Sequence, residues 1–200
     1  MANRTRRHML LGVGLAAAAG LGSVGFLRKQ SARLKSTNIY IESAELRQIN
    51  SRWIFDCQAT IDLPAPIQAG LESGVPLQFI VSVRVTKPGV FWRNNVLLKS
   101  KQRFRLVYYE LTRHYRVHSV ENDSSVNKRS LLSALDELGT LKFLDLTHWV
   151  RNANELADSA IEKNASVSIY LDRQYLPLPL QPMFSDGWRL TSEEFVWPLS

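Results

Sequence analysis

The chain has 200 residues, of which 45% are hydrophobic, and a formal net charge of +7 at pH 7. This length suits one domain with an accessory segment, and the apolar fraction is sufficient for a buried core. Residues 1–35 hold seven of the 25 Lys and Arg residues and no acid, so residues 36–200 carry 18 basic and 18 acidic residues. The excess charge belongs to the N-terminal segment, which argues against a nucleic acid partner.

An uncharged apolar run, Met9 to Leu27, lies between two basic flanks. As a helix it would be about 28 Å long, which is close to the hydrocarbon thickness of a bilayer. Three interpretations remain open, namely an uncleaved anchor, a cleaved secretory signal and a twin-arginine signal. A buried glycine-rich helix of a cytosolic domain is the further alternative. The candidate targeting residues are Arg6, Arg7, Arg28 and Lys29.

The change in composition after this run divides the chain into three parts. Residues 1–29 are the predicted signal peptide or transmembrane anchor, residues 30–37 a linker, and residues 38–200 the folded domain. The apolar run with its basic flanks predicts export or membrane anchoring, with the domain on the periplasmic side of the inner membrane, although charges on both sides of the run do not specify its orientation. The domain would be anchored there through residues 9–27, or released after cleavage.

The folded domain shows the alternation that is typical of half-buried antiparallel strands. Trp53, Phe55, Cys57, Ala59 and Ile61 share one face of a predicted strand. Cys57 would then point into the core, where a small apolar side chain is a more common role than a reactive thiol. Further strands are predicted over residues 39–49, 77–86, 103–109, 115–117 and 167–171.

Two short helices are predicted between the strands. One runs from Pro64 to Glu72 and ends at Gly74. The other is bounded by Ser130 as N-cap and Gly139 as C-terminal stop. Its apolar positions have helical spacing, and they are Leu131, Leu132, Leu135 and Leu138.

The C-terminal tail differs in character from the rest of the domain. Its prolines predict an extended edge strap over residues 176–180, with Trp188 and Trp197 as anchors in the core. Residues 179–182 also have PxxP spacing, but the leucines favour packing on the protein's own sheet. Six or seven strands with one or two short helices predict a mainly β fold. The expected architecture is an antiparallel β-sandwich, immunoglobulin-like in general form, preceded by an N-terminal apolar helix.

A row of four cations is the most unusual charged feature of the domain. Strand alternation places them on one face, and they are Lys99, Lys101, Arg103 and Arg105. One interpretation is an anion site, for lipid headgroups or for an acidic ligand or partner. The alternative is a solvated face, whose cations pair across strands with acids such as Asp56 or Asp62.

No catalytic, cofactor or metal site is predicted. His114 and His118 share a strand face with Arg116 between them, and a cation between two ligands disfavours a metal ion. Ser125 to Lys128 has Ser-x-x-Lys spacing, but it lies in a polar, turn-like stretch without the partner motifs of such enzymes.

Several segments form a distinctive ordered set: LESGVPLQF from Leu71, YELTRHYRV from Tyr109, the leucine helix ending at Gly139, QYLPLPL from Gln174, and the closing residues from Trp188 to Leu199. Together they resemble the uncharacterised proteobacterial family designated domain of unknown function 4390, over roughly residues 38–199. The resemblance implies an exported or membrane-tethered β domain, and the family supplies no enzyme activity and no functional residues. Genes of this family are associated with the neighbourhood of a nitrogen-regulation-type sensor kinase, so the resemblance also implies a role in envelope signalling.

These observations predict a non-catalytic envelope domain that acts through protein or ligand contacts. The expected partners are the inner membrane, if the N-terminal segment is uncleaved, and an envelope protein such as a sensor kinase. Two alternatives remain, namely a hydrolase-type enzyme with an unrecognised site, and a membrane-surface adaptor that binds anionic lipid through the cationic strand. Polar groups that converge in a deep pocket would favour the enzyme.

Overall fold

Nine β-strands and three short helices make up most of the residues that the computed structural model describes, which are 38–89, 94–176 and 188–199. The strands are β1 (Ile39–Ile49), β2 (Arg52–Ile61), β3 (Leu77–Lys87), β4 (Asn95–Tyr109), β5 (His114–Ser119), β6 (Ser124–Lys128), β7 (Thr140–Asp145), β8 (Lys163–Leu171) and β9 (Phe195–Leu199). The helices are α1 (Ala65–Glu72), α2 (Leu131–Gly139) and α3 (Ala153–Ala157), with 3₁₀ turns at Thr147–Trp149 and Arg173–Tyr175.

The predicted targeting segment, with Arg6, Arg7, Arg28 and Lys29, lies outside the described residues, as do the linker, the PxxP stretch and most of the proline strap. Within the described ranges, no helix combines the length and the apolar character that a bilayer span requires. All described residues belong to one compact unit, Leu34–Ser200.

The strands form two antiparallel sheets, which confirms the predicted β-sandwich. The smaller sheet has the order β1-β2-β7, and the larger has the order β6-β5-β4-β3-β8-β9. The predicted inward residues of β2 and β3 all lie in the shared core, where Phe55 and Phe79 are fully buried. One face of the large sheet therefore points into the core and the other points away from it.

Both tryptophans of the tail contribute to the core, but in different ways. Trp188 is buried, and its ring lies so close to Gly70 of α1 that a Cβ there would be 2.4 Å from a ring carbon. Trp197 is half-buried and belongs to β9, where its ring stacks on Phe55 with centroids 6.4 Å apart. The C-terminal segment thus ends as an edge strand of the large sheet, beyond the predicted strap.

Helix α2 confirms one sequence prediction and corrects two. The Ser130 side chain accepts a hydrogen bond from the Ser133 N–H at 3.2 Å, as expected of an N-cap. Leu132 is 80% exposed, so it does not belong to the buried face of the helix. Gly139 is the last helical residue and not a stop beyond the helix, since β7 begins directly after it. A Cβ at Gly139 would lie 2.0 Å from the Ala59 carbonyl oxygen, so glycine lets α2 approach β2 closely.

Two further predictions about strands are also corrected. The sequence predicts a turn-like stretch at Ser125 to Lys128, but these residues belong to β6, which pairs antiparallel with β5. Strand β4 begins at Asn95, well before the predicted start at residue 103. Its early half carries Lys99 and Lys101, so the whole row of four cations lies on one continuous strand.

Candidate functional site

The predicted cationic row is present on the outer face of the large sheet. Lys99, Lys101 and Arg103 are exposed and Arg105 is half-buried, while the residues between them point into the core. The register adds Arg84, which pairs with Lys99 across β3 and β4, and Arg116 on β5. We call these six residues the cationic face: Arg84, Lys99, Lys101, Arg103, Arg105 and Arg116.

Asp56 and Asp62, the acids named in the alternative of a neutralised face, lie elsewhere, so pairing of the row with these two acids is wrong. Asp56 is on β2 in the small sheet, where it pairs with Arg47 and accepts a hydrogen bond from the Phe143 N–H at 2.7 Å. Asp62 directly follows β2, and its N–H donates to the Asn38 carbonyl. Both acids therefore belong to the small sheet, which is separated from the cationic face by the core.

Like charges face each other within the cationic face. Arg84 and Lys99 are directly opposite partners on neighbouring antiparallel strands. Such a pair is destabilising, whereas cross-strand pairs of opposite charge stabilise a sheet. No acid among the described residues lies within ion-pair distance of Arg84, Lys99 or Lys101. A purely structural surface does not require this arrangement.

Three arginines of the cationic face are held in place by neighbouring groups. Arg103 binds the Glu121 carboxylate through its Nε at 2.7 Å. Arg105 donates from Nε to the Gln78 amide oxygen at 3.3 Å, and its guanidinium lies 5.0 Å from the centre of the Tyr175 ring. Only the first of these contacts involves a negative charge, so the two groups that orient Arg105 do not balance its positive charge.

Arg116 has a similar setting at the β5 end of the cationic face. Its Nε donates to Asn127 Oδ1 at 3.1 Å, and its guanidinium lies 5.1 Å from the centre of the Tyr109 ring. Both partners are neutral and orient the guanidinium without cancelling its charge. The face thus combines ordered arginines with the exposed, acid-free group of Arg84, Lys99 and Lys101.

Hydroxyl groups lie beside this acid-free group. Ser82 pairs with Lys101 on β4 and with Ser168 on β8, while Ser166 pairs with Arg84. Neighbouring strands are about 4.8 Å apart, so Ser82 lies directly beside Lys101 and Ser166 lies directly beside Arg84. Ammonium, guanidinium and hydroxyl donors together suit a carboxylate or a phosphate.

The histidines flank the cationic face and are engaged locally. His118 Nδ1 lies 2.9 Å from Ser125 Oγ, and His114 contacts the Thr112 carbonyl. Their side chains share the outer face with Arg116, as the sequence predicted. Among the described residues, no group of three or more His, Cys, Asp or Glu side chains could hold a metal ion.

Cys57 lies in the core, where the sequence placed it. It is buried, and burial raises the pKa of its thiol to about 12. A thiol with such a pKa is almost entirely protonated at neutral pH and is therefore a poor nucleophile. The side chain acts as a small apolar group of the small sheet.

A cleft opens between the edge strands β6 and β7. It has a volume of about 180 Å³, and its lining includes the hydroxyl of Ser119 and the charged groups of Glu137 and Lys142. The Glu137 carboxylate pairs with Lys128 at 2.8 Å, so its charge is already balanced. The alternative of a hydrolase-type enzyme, for which the sequence named no site, remains a prediction.

Sequence reasoning found four members of the cationic face and missed two. Alternation along one strand identifies the row on β4, because it depends only on local spacing. Arg84 and Arg116 occupy outward positions of their own strands, which the same alternation indicates. Their place beside the row depends on the strand order and register, which no local pattern specifies.

The fold and the site define the class of this protein: a two-sheet antiparallel β-sandwich domain with a cationic outer face. The family model described as Domain of unknown function (DUF4390) matches residues 36–198, and the chain belongs to this family. No curated protein and no solved structure matches the chain.

Proposed function

We propose that the chain is a non-catalytic domain of the bacterial envelope, exported or membrane-tethered, which binds an acidic protein partner through the cationic face. The observation that carries this proposal is the acid-free group of Arg84, Lys99 and Lys101. Two of these cations oppose each other across strands, at a cost in stability that a binding role explains. A sensor kinase of the envelope is the partner that the family resemblance suggests.

The expected interaction is electrostatic and of moderate strength. Single exposed ion pairs contribute roughly 0–1 kcal/mol each, so no one contact dominates. Several cations on one face act together to steer an acidic partner and to raise its association rate. Binding should therefore weaken strongly with salt, since the Debye length falls to about 8 Å at physiological ionic strength.

The position of Asn38, the first described residue, favours a protein partner over a membrane surface. The described chain begins beside β1, in the small sheet, whereas the cationic face is the outer face of the large sheet. If the domain bound its own membrane through these cations, the first described residue and the cationic face would be expected on the same side of the sandwich. This arrangement favours a soluble acidic surface as the ligand.

Crosslinking pull-down from membranes, followed by mass spectrometry, tests the proposal. The full chain is compared with Lys101→Glu on the cationic face and with Arg52→Glu, a matched exposed cation on the small sheet. The proposal expects a partner with an acidic segment that Lys101→Glu loses and Arg52→Glu retains. Equal recovery with both variants, or recovery of cytosolic partners alone, would contradict it.

Vesicle binding separates the lipid alternative from the protein partner. Sedimentation with anionic vesicles and with neutral vesicles is measured for the same three chains. If anionic vesicles bind tightly, if Lys101→Glu abolishes this binding, and if no partner is crosslinked, then the chain is a membrane-surface adaptor. Weak vesicle binding together with a crosslinked acidic partner supports the proposal as stated.

A further inference from the structure

The strand that carries the cationic row is unpaired along part of one edge. On this edge, β5 pairs with β4 only from Phe104 onward, and Leu98 makes an isolated bridge to Val150. Among the described residues, no strand pairs with residues 99–103 on this side. At about 3.4 Å per residue, this unpaired stretch is roughly 17 Å long.

One carboxylate of the chain already occupies the end of this stretch. Glu121 accepts a hydrogen bond from the Arg103 backbone N–H at 2.7 Å with one oxygen, and from the Arg103 Nε at 2.7 Å with the other. The same edge is used by the Val120 N–H, which donates to the Arg103 carbonyl at 2.9 Å. The backbone amide and the side-chain guanidinium of Arg103 thus bind the same carboxylate.

Lys101, two residues before Arg103, offers the same pair of groups, a backbone N–H and a side-chain cation, without a bound carboxylate from the described residues. Residues two apart in a strand direct their N–H and C=O groups to the same side, so the Lys101 backbone points to the same edge as that of Arg103. Its ammonium is exposed, and no described acid pairs with it. The unpaired edge and the acid-free part of the cationic row therefore coincide.

We infer that this edge binds an extended acidic segment of a partner protein by strand addition, with a partner carboxylate at Lys101 placed as Glu121 is at Arg103. The inference rests on the proposed function and names the form of the partner. Backbone hydrogen bonds to the edge hold the segment, as in other cases of β-augmentation. Outward carboxylates at alternate positions of the segment would lie beside Lys99 and Lys101, which are on the strand next to it.

The buried side of this stretch determines which residue types suit the inward positions of the partner segment. The side chain of Gln102 is buried within the stretch, and that of Ser119 is buried just beyond its end, where β5 pairs with Phe104. Gln102 Oε1 and Ser119 Oγ have no hydrogen-bond partner among the described residues. Small polar side chains on the inward positions of the segment are compatible with these oxygens, and large apolar ones are not. Alternating acidic and small polar residues are therefore the expected pattern.

The test uses synthetic peptides with the full chain. The probe is a blocked hexapeptide of alternating Ser and Glu, and the control has the same composition with its three Glu residues contiguous. A third peptide is the alternating sequence with N-methylated backbone amides, which cannot pair with a strand edge. Binding is measured by titration at low salt, and hydrogen exchange of the Lys101 amide is followed by NMR.

Strand addition predicts that the alternating peptide binds about tenfold more tightly than either control. Its binding should slow exchange of the Lys101 amide about tenfold. Lys101→Glu should weaken it about tenfold, whereas Arg52→Glu should change it less than twofold. Glu121→Gln, which removes the negative charge beside Arg103, should strengthen binding about threefold if the variant retains the native NMR spectrum.

The possible failures are distinguishable. Equal binding of all three peptides, with unchanged Lys101 exchange but full dependence on Lys101, would overturn strand addition and leave the proposed function intact. Weak binding of every peptide that is insensitive to Lys101→Glu would overturn both. If the alternating peptide slowed hydrogen exchange only for amides at the edges of β1 or β9, the binding edge would lie elsewhere and the inference would be overturned.

Discussion

Gly139 offers a sharp test of the packing of helix α2 on the small sheet. An alanine at this position would place its Cβ 2.0 Å from the Ala59 carbonyl oxygen and 3.1 Å from the carbonyl carbon. Both atoms belong to the backbone of β2, so neither can rotate away as a side chain would. Relief requires α2 and β2 to separate by about 1 Å, because real Cβ contacts do not fall below 3.0 Å.

The expected cost follows from two opposing effects. Overpacking of a well-filled core costs about 1–3 kcal/mol, and sometimes more. Replacing glycine by alanine within a helix regains about 1 kcal/mol at most, and less at the last residue. Gly139→Ala should therefore lower the free energy of unfolding by about 2 kcal/mol. For a chain of this size, that corresponds to a fall in Tm of about 4–8 °C.

Urea and thermal unfolding of the purified chain measure this effect, and Gly74 supplies the matched control. Gly74 has a φ of +89°, and a Cβ added to it would meet no atom within 4 Å, so this position requires backbone freedom and not space. Asparagine tolerates such a conformation better than alanine does. Gly74→Asn should thus cost less than Gly74→Ala, whereas Asn and Ala at Gly139 should be similarly harmful. If Gly139→Asn were well tolerated, the close-approach explanation would be refuted.

Two further predictions concern the stability contributions of Cys57 and Asp56 in the small sheet. The Cys57 thiol has its pKa raised by burial to about 12, so its neutral form stabilises the fold below about pH 9, the range of an unfolded thiol. This contribution is lost as the pH rises from about 9 to about 12, because the unfolded thiol ionises and the buried one does not. Urea unfolding over this pH range should therefore show a smaller fall in the free energy of unfolding for Cys57→Ala than for the wild-type chain. Asp56→Ala should lower the free energy of unfolding by about 1–3 kcal/mol, because the Phe143 N–H loses its acceptor and Arg47 keeps an ion pair with Glu45 alone. Asp56→Asn, which retains an acceptor oxygen, should cost less, and equal losses in chemical denaturation would count against the role of that hydrogen bond.

Much of the fold could be predicted from local periodicity. The alternation from Trp53 to Ile61 assigned the inward face of β2 correctly, because each apolar residue of an amphipathic strand marks the same side. The same reasoning placed Cys57 in the core and the cationic row on one face. Each of these features depends on neighbours within one strand, and such neighbours are visible in the sequence.

Features that depend on distant pairing were not predictable in this way. Asp56 was expected to neutralise the cationic row, but the strand order places it in the other sheet. Residues 124–128 alternate weakly, because β6 is an edge strand with almost no buried side chain, and the pattern there predicts a turn instead. The role of Gly139 likewise depends on the approach of a strand that is some 80 residues away in the sequence.

The central claim is that the cationic face is the surface that meets a partner. Site-specific photocrosslinking tests it most directly, with a photoreactive residue at Ser82, in the middle of the face, and at Thr60, an exposed position on the small sheet. In membranes of cells that express the full chain, position 82 should yield a discrete adduct with a protein that contains an acidic segment, and position 60 should not. Adducts that form equally from both positions, or from position 60 alone, would contradict the account.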